Sequence, residues 1–325
     1  MMGRRSKTAL LLYMVFLMVL FLMCSTDLII REPEKEVYQI AVIIEDIRDD
    51  NYGNFKKGMD QAAVELNADV RFITLYEKLD KDQQMELILR EQQDGADALI
   101  VVPADEEMVV GAASERQVTV PLILLGTGLA GEGVTGTIVT DYKYMGEQAA
   151  EQILQRVSPA ATVLMFSDPA RQSFMSRLFL EGASAALEEG KVRCQTVARD
   201  GEQGFAKLVG VLENLPKGEM VILAESQEIL TETAGILEDN PHLRDKISGL
   251  YGRGSSLSIL NYLDREIIGG ICIVDEYSVG YFSVLMAAQA FEGSGGQKTR
   301  TMDSYYIEKK DLREPAYEKM LYPIE

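Results

Sequence analysis

Polar side chains able to hold a small ligand recur directly after short apolar runs. Past Val37–Ile44 come Glu45, Asp46, Asp49, Asn51 and Tyr52; past Val70–Leu75 comes Glu77; past Ala98–Val102 comes Asp105; past Leu122–Leu125 comes Gly126-Thr127-Gly128. A second set repeats the pattern, with Asp168 and Arg171 after Thr162–Phe166, Arg199 and Asp200 after Val192–Val197, and Glu225 and Ser226 after Met220–Ala224. Tyr251 and Arg253 then follow Ile247–Leu250, and Asp275 follows Gly270–Val274. Carboxylates, amides and guanidinium forks accept and donate paired hydrogen bonds, while a phenol ring covers C–H surface. The mixture suits a small polyhydroxylated or otherwise polar ligand. Each residue taken alone is equally open to reading as a solvated loop residue or a helix cap.

Other chemistries lack their parts. The chain has a single histidine, His242, and no cysteine cluster, so no zinc site of known spacing can be built, and no metal or cofactor is expected. There is no G-x-S-x-G elbow and no Cys–His pair in a suitable setting. Acidic residues abound, but abundance is not the fixed separation that a paired-carboxylate hydrolase needs. The chain is therefore expected not to be an enzyme. Gly126–Gly131 spells G-x-G-x-x-G, yet Glu132–Gly136 cannot start the helix that motif requires, and Thr137–Val139 reads as another strand. Gly252–Ser256 lacks the lysine of a phosphate loop and is better explained as the cap of a helix over Leu257–Leu263.

The elements that position these residues repeat about ten times between residues 37 and 307: a short apolar strand, a polar turn, an amphipathic helix. In the first helix Phe55, Met59, Ala62, Ala63 and Leu66 fall at spacings of three and four, with Lys56, Lys57, Asp60 and Glu65 between them. The next shows Met85, Ile88 and Leu89 and stops at Asp94-Gly95. Strands alternating with helices of this length predict an α/β fold with parallel sheets, whose ligands sit outside the carboxyl ends of the strands. At 325 residues the chain exceeds one ordinary core, and two successive series of similar size predict two lobes of like architecture.

The net charge of −19 argues against a sequence-independent grip on nucleic acid, which needs a basic surface to displace counterions. Cys194 and Cys272 lie in strand-like runs and read as buried free thiols, with a disulfide between them as the alternative. Arg4, Arg5 and Lys7 precede Thr8–Thr26, 19 residues without a charge, which predicts a membrane signal that sends the remainder of the chain outward. Three forms are open: an uncleaved anchor, lipid on Cys24, or simple cleavage. Ile29–Glu36, with Pro33 and mixed charges, reads as a short tether.

The chain resembles the type I periplasmic binding proteins, in particular the ribose-binding-protein-like sugar-binding branch. The resemblance runs from about Val37 to Ile307. It is carried by Ile40–Glu45 with Asn51-Tyr52 and Phe55–Met59; by Gly95–Asp105; by Val120–Leu125; by Thr140-Asp141-Tyr142 with Gly146; by Glu181-Gly182; and by Val279-Gly280-Tyr281. It implies two Rossmann-like lobes joined by a three-stranded hinge, with crossovers near Asp141, Asp275 and Thr301–Asp303. Lobe 1 would then be 37–140 plus 276–302 and lobe 2 141–275 plus 303–325, with 1–36 as anchor and tether. By the same resemblance Tyr52 stacks on a sugar beside Asp49 and Asn51, and Arg177, four residues before Glu181-Gly182, binds hydroxyls from the second lobe. Asp105, Thr127, Ser226, Tyr251 and Asp275 complete the expected site. Several of these depart from the family's pattern: Gly126-Thr127 stands where an Asp-Arg pair is usual, Ser226 where Asn or Asp is usual, and Tyr251 where Asp is usual. The implied function is an extracytoplasmic, membrane-tethered solute-binding protein for a sugar-like ligand. It would feed an ABC importer, or report ligand to a membrane histidine kinase.

Overall fold

The computed structural model describes residues 4–25, 37–126, 128–129, 131–199, 210, 220–291, 293 and 298–322. Met1–Val37 and Tyr38–Glu325 are two separate compact units. The first contains α1 (Arg4–Ser25), a 22-residue helix whose apolar side chains from Leu10 to Met23 are exposed. Among the described residues, no helix is long and apolar enough to cross a membrane. Residues 29–36, expected as a tether, and the Cys24 side chain lie outside the described residues.

The second unit opens with β1 (Tyr38–Ile43), α2 (Gly53–Leu66), β2 (Ala68–Ile73), α3 (Lys81–Gln93), β3 (Ala98–Val101), α4 (Glu106–Ser114), β4 (Leu122–Leu125) and β5 (Gly136–Thr140). There follow α5 (Tyr142–Leu154), β6 (Thr162–Ser167), α6 (Phe174–Glu189), β7 (Arg193–Ala198), β8 (Met220–Ala224), α7 (Gln227–Asp239), α8 (Pro241–Arg244), β9 (Gly249–Arg253), α9 (Leu257–Asp264) and β10 (Gly270–Val274). The chain ends with α10 (Glu276–Phe291), β11 (Lys298–Met302), β12 (Ser304–Ile307) and α11 (Pro315–Leu321).

These strands form two six-stranded sheets, ordered β11-β5-β4-β3-β1-β2 and β12-β10-β9-β8-β6-β7. Every described pairing is parallel except β10 with β12. Central strands read as unbroken apolar runs because helices cover both faces of a parallel sheet. Ile40–Ile43 and Leu122–Leu124 are fully buried, and each Ile, Val or Leu among them contributes about 1.5–3 kcal/mol on leaving water. Both sheets lie between two apolar clusters. Edge strand β7 is largely exposed, so Cys194 on it is only partly covered while Cys272 on β10 is fully buried; both are free thiols.

Side-chain caps set the starts of the helices that face the sheet ends. Asp80, Asp105, Asp141, Ser173, Ser226 and Ser256 each accept a hydrogen bond from the backbone N–H three residues on. Glycine sets the closest helix crossings. A Cβ on Gly58 would lie 1.9 Å from the Tyr277 carbonyl oxygen, and one on Gly280 2.0 Å from that of Phe55, so α2 and α10 touch backbone to backbone. Gly146 and Gly182 do the same for α5 and α6, at 1.9 Å from the carbonyl oxygens of Phe179 and Lys143.

The chain leaves the first sheet at Asp141 for α5 and the second sheet, returns at Asp275 for α10, and passes from β11 to β12 at Asp303. Strand β9 runs to Arg253 instead of stopping at Leu250, which changes the surroundings of Tyr251.

Candidate functional site

A cavity of about 170 Å³ lies between the carboxyl ends of the two sheets. From the first half it is walled by Glu45, Asp46, Asn51 and Tyr52 after β1, by Lys78 after β2, by Val102, Leu125 and Gly126 after β3 and β4, and by Thr140 of β5. Tyr142, Asp168, Arg171, Met175, Arg199, Glu225, Ser226, Gln227, Glu228 and Arg253 wall it from the second half, and Glu276 stands where the chain returns.

Its polar groups are organised in three sets. Lys78 Nζ lies 2.8 Å from Glu228 Oε2 and 3.7 Å from Asp46 Oδ2, an ion pair that spans the cleft from the loop after β2 to the first turn of α7. Burial works against the charge on Lys78, yet Asp46, Glu228 and Glu45 together raise its pKa. Arg199 extends the set, reaching Glu228 at 3.1 Å, Glu232 at 3.2 Å and Asp168 at 3.5 Å. Burial disfavours the Glu228 carboxylate, but Lys78 and Arg199 outweigh it and hold its pKa below the usual value.

Arg253 forms the second set. Its Nε donates to the Glu225 carbonyl at 2.8 Å, its Nη2 donates to Ser176 Oγ at 2.9 Å, and the guanidinium lies 5.3 Å from the Tyr142 ring centre. The Glu225 carboxylate accepts from the Asp168 N–H at 2.7 Å and from Gln172; burial raises its pKa against those bonds.

The third set is acidic. Glu45 is 6% exposed and accepts a 2.9 Å hydrogen bond from the Tyr52 hydroxyl. Burial pushes its pKa up to about 7, with Tyr52 and Lys78 pulling the other way. Glu276, the first residue of α10, is also pushed up to about 7 by burial, opposed by Arg253. Further contacts close the cleft: Gln227 Nε2 reaches the Asn51 carbonyl at 3.5 Å, and Met175 of α6 packs into the apolar cluster under β1.

Of the strand-end candidates read from sequence, Glu45, Asp46, Asp168, Arg171, Arg199, Glu225 and Arg253 line this cavity, and of the residues the family resemblance implies, Asn51, Tyr52 and Ser226 do. Ser226 also caps α7, accepting from the Ile229 N–H at 3.3 Å. Asp49, Asp105, Asp275, Tyr251 and Arg177 have other surroundings in this structure. Asp49 is exposed and paired with Lys56 at 2.8 Å. Asp105 caps α4 and pairs with Lys81 at 3.3 Å. Asp275 caps α10, accepting from the Ser278 N–H at 3.0 Å and from its hydroxyl at 2.6 Å. Tyr251 is inside β9, 5% exposed, with its ring in the apolar layer under α5 and α6. Arg177 is on the outer face of α6 beside Glu181 and over the Phe174 ring, its side chain 57% exposed; Ser173, Met175 and Ser176 of that first turn face the cavity instead. Thr127 lies outside the described residues. Lys78, Tyr142, Gln227, Glu228 and Glu276 were not expected. Each stands one or two residues past an expected position, at Glu77, Asp141, Ser226 or Asp275, and that adjacency is the signal that could have found them.

Residues 40–295 of the chain match the model of the family described as periplasmic binding protein domain. The chain belongs to the periplasmic binding protein family. A comparison with curated proteins finds no match. Among solved structures, this family member is similar to GanP, a glucose-galactose binding protein from Geobacillus stearothermophilus, with 21% identity, a TM-score of 0.74, and 86% of this chain and 100% of that one covered. It is also similar to a carbohydrate transporter solute binding protein from Agrobacterium radiobacter in complex with D-arabinose (17% identity, TM-score 0.76, 88% and 99% covered). A third is the complex of the TorS sensor domain with TorT in the absence of ligand (18%, 0.73, 88% and 98%). At these identities the likeness shows the fold alone.

Proposed function

We propose that the chain is an extracytoplasmic solute-binding protein that encloses a small polyhydroxylated, sugar-like ligand and passes it to an ABC importer, without catalysis. The observation that carries this is the cavity itself. Both sheets point their strand ends into it, and it combines fixed donors (Arg253), acceptors (Glu45, Glu225, Glu228) and two phenol rings (Tyr52, Tyr142). Such a wall offers paired hydrogen bonds to hydroxyls and a flat face to C–H surface. The sugars named for GanP and the arabinose complex, and the family's extracytoplasmic setting, support the same reading. The ligand-contacting set proposed is Glu45, Asn51, Tyr52, Tyr142, Glu225, Arg253 and Glu276. Release then follows rotation of the halves about the crossovers at Asp141, Asp275 and Asp303. Tethering through residues 8–26 or through lipid on Cys24 is part of the proposal, on the basic flank Arg4, Arg5 and Lys7 before an uncharged apolar run.

A second reading, in which the closed protein reports ligand to a membrane sensor kinase, is favoured by the likeness to TorT bound to the TorS sensor domain. The primary reading is tested by a thermal-shift screen of the full chain against hexoses, pentoses, polyols, nucleosides and short peptides, followed by calorimetry. Selective stabilisation by a sugar or polyol is expected. Stabilisation by peptides or nucleosides alone would refute it.

A further inference from the structure

We infer that the ligand is a deoxysugar: its hydroxyls face the charged end of the cavity, and its methyl group lies at the other end against Met175, the residue that selects it. This rests on the sugar-binding reading above and narrows it.

Strand order divides the cavity wall. In the first sheet β1 and β2 stand together and lead into Glu45, Asp46 and Lys78, whereas β3, β4 and β5 follow on the other side with Val102, Leu125 and Ile138, all buried. The polar groups at this second side are engaged within the protein. The Val102 carbonyl accepts from Gln84 Nε2 at 2.9 Å, and the Gly126 N–H donates to the Ile138 carbonyl at 2.8 Å. Thr140 is hydrogen-bonded to Tyr142, and Asp105, the acid after β3, caps α4. A sugar hydroxyl brought here exchanges water mainly for carbon, whereas a methyl group gains by leaving water.

The second half closes on the same spot. Met175, the second residue of α6, reaches across to the end of β4. A Cβ on Gly126 would lie 2.8 Å from its Sδ, 3.5 Å from its Cγ and 3.9 Å from its Cε, so the thioether lies along the glycine backbone. Gly126 also has a φ of +80°, so both the backbone and the occupied space keep a side chain off this strand end. The same methionine packs against the cluster that holds Phe55, Val102, Leu125 and Ile138. An unbranched, polarizable thioether moulds itself to a small apolar group. Charge closes the other end, where Lys78 meets Glu228 at 2.8 Å and Arg199 meets it at 3.1 Å. Strands β2 and β4 are three places apart in the sheet, about 14 Å. Less the reach of the Lys78 and Met175 side chains, that leaves the length of one sugar ring, polar at one end and apolar at the other.

Calorimetry on the full chain uses three pairs that differ by one hydroxyl: D-galactose and D-fucose, L-galactose and L-fucose, L-mannose and L-rhamnose. In at least one pair the deoxysugar is expected to bind at least about tenfold more tightly than its partner. Met175→Leu, which keeps an apolar side chain of similar volume, is expected to retain that preference. Met175→Gln, which places an amide at the same reach, is expected to cut it to about twofold or less. If sugars bind but no deoxysugar reaches the tenfold preference, the inference is overturned and the sugar-binding reading stands. A preference that survives Met175→Gln overturns the seat at Met175. Silence from all six overturns the inference, and silence from pentoses and polyols as well takes the sugar-binding reading with it.

Discussion

Glu276→Gln in the ligand-free protein has a pH signature that follows from where the carboxylate sits. An unfolded chain titrates this group near 4.5, whereas in the folded protein burial moves it to about 7. Between those values the folded state holds a proton that the unfolded chain has released. Stability therefore falls as pH rises from about 4.5 to 7 and is flat above. A shift of roughly 2.5 units at 1.36 kcal/mol per unit amounts to about 3 kcal/mol at pH 8, and to less than about 1 kcal/mol at pH 5. Glutamine keeps the shape and removes the charge, so urea unfolding should show the variant more stable than wild type by up to about 3 kcal/mol at pH 8 and near parity at pH 5. Glu45 has the same shift and stays in place, so the variant keeps part of the wild-type slope. An equal difference at both pH values, or a variant less stable at pH 8, would refute the placement of an unpaired carboxylate at this wall.

Lys78→Met removes the ion pair that spans the cleft. Because charged hydrogen bonds are worth about 1.5–3 kcal/mol, ligand release measured by stopped flow should accelerate by roughly tenfold or more, and an unchanged rate would mean the pair does not hold the closed form. Arg177→Ala should leave ligand affinity within about twofold, since exposed charges contribute roughly 0–1 kcal/mol; a tenfold loss by calorimetry would put Arg177 back in the site. Gly146→Ala places a Cβ 1.9 Å from the Phe179 carbonyl oxygen and should lower stability by about 1–3 kcal/mol or more; a melting temperature equal to wild type would show that α5 and α6 separate easily.

The residues at the mouth of the cavity are legible from the strand ends. Glu45, Asp46, Asp168, Arg171, Arg199, Glu225 and Arg253 follow apolar runs in the sequence, and the parallel sheets bring them to one edge. Matching single positions to a family motif was less secure. A helix turns 100° per residue and a pleat reverses at each one, so a small offset moves a side chain to another face. Arg177 is one residue past Ser176 and points outward; Tyr251 shares a face of β9 with Arg253 but lies two residues deeper along the strand and belongs to the core. Asp105 and Asp275 carry the residue type a ligand needs and a helix start needs equally, and local backbone N–H groups claimed them first. Lys78 comes from the loop after β2 and Glu228 from the first turn of α7, far apart in sequence, and nothing in the local pattern of either announces the other.

The two glycine crossings lie next to the places where the chain changes sheet. Helix α5 begins one residue after Asp141 and is pinned against α6 through Gly146 and Gly182; α10 begins one residue after Asp275 and is pinned against α2 through Gly280 and Gly58. With backbones in contact, neither helix has slack to slide or tilt on its neighbour. Any twist imposed at Asp141 or Asp275 is therefore delivered undamped to an entire half of the molecule, as torque on a keyed shaft turns the whole wheel.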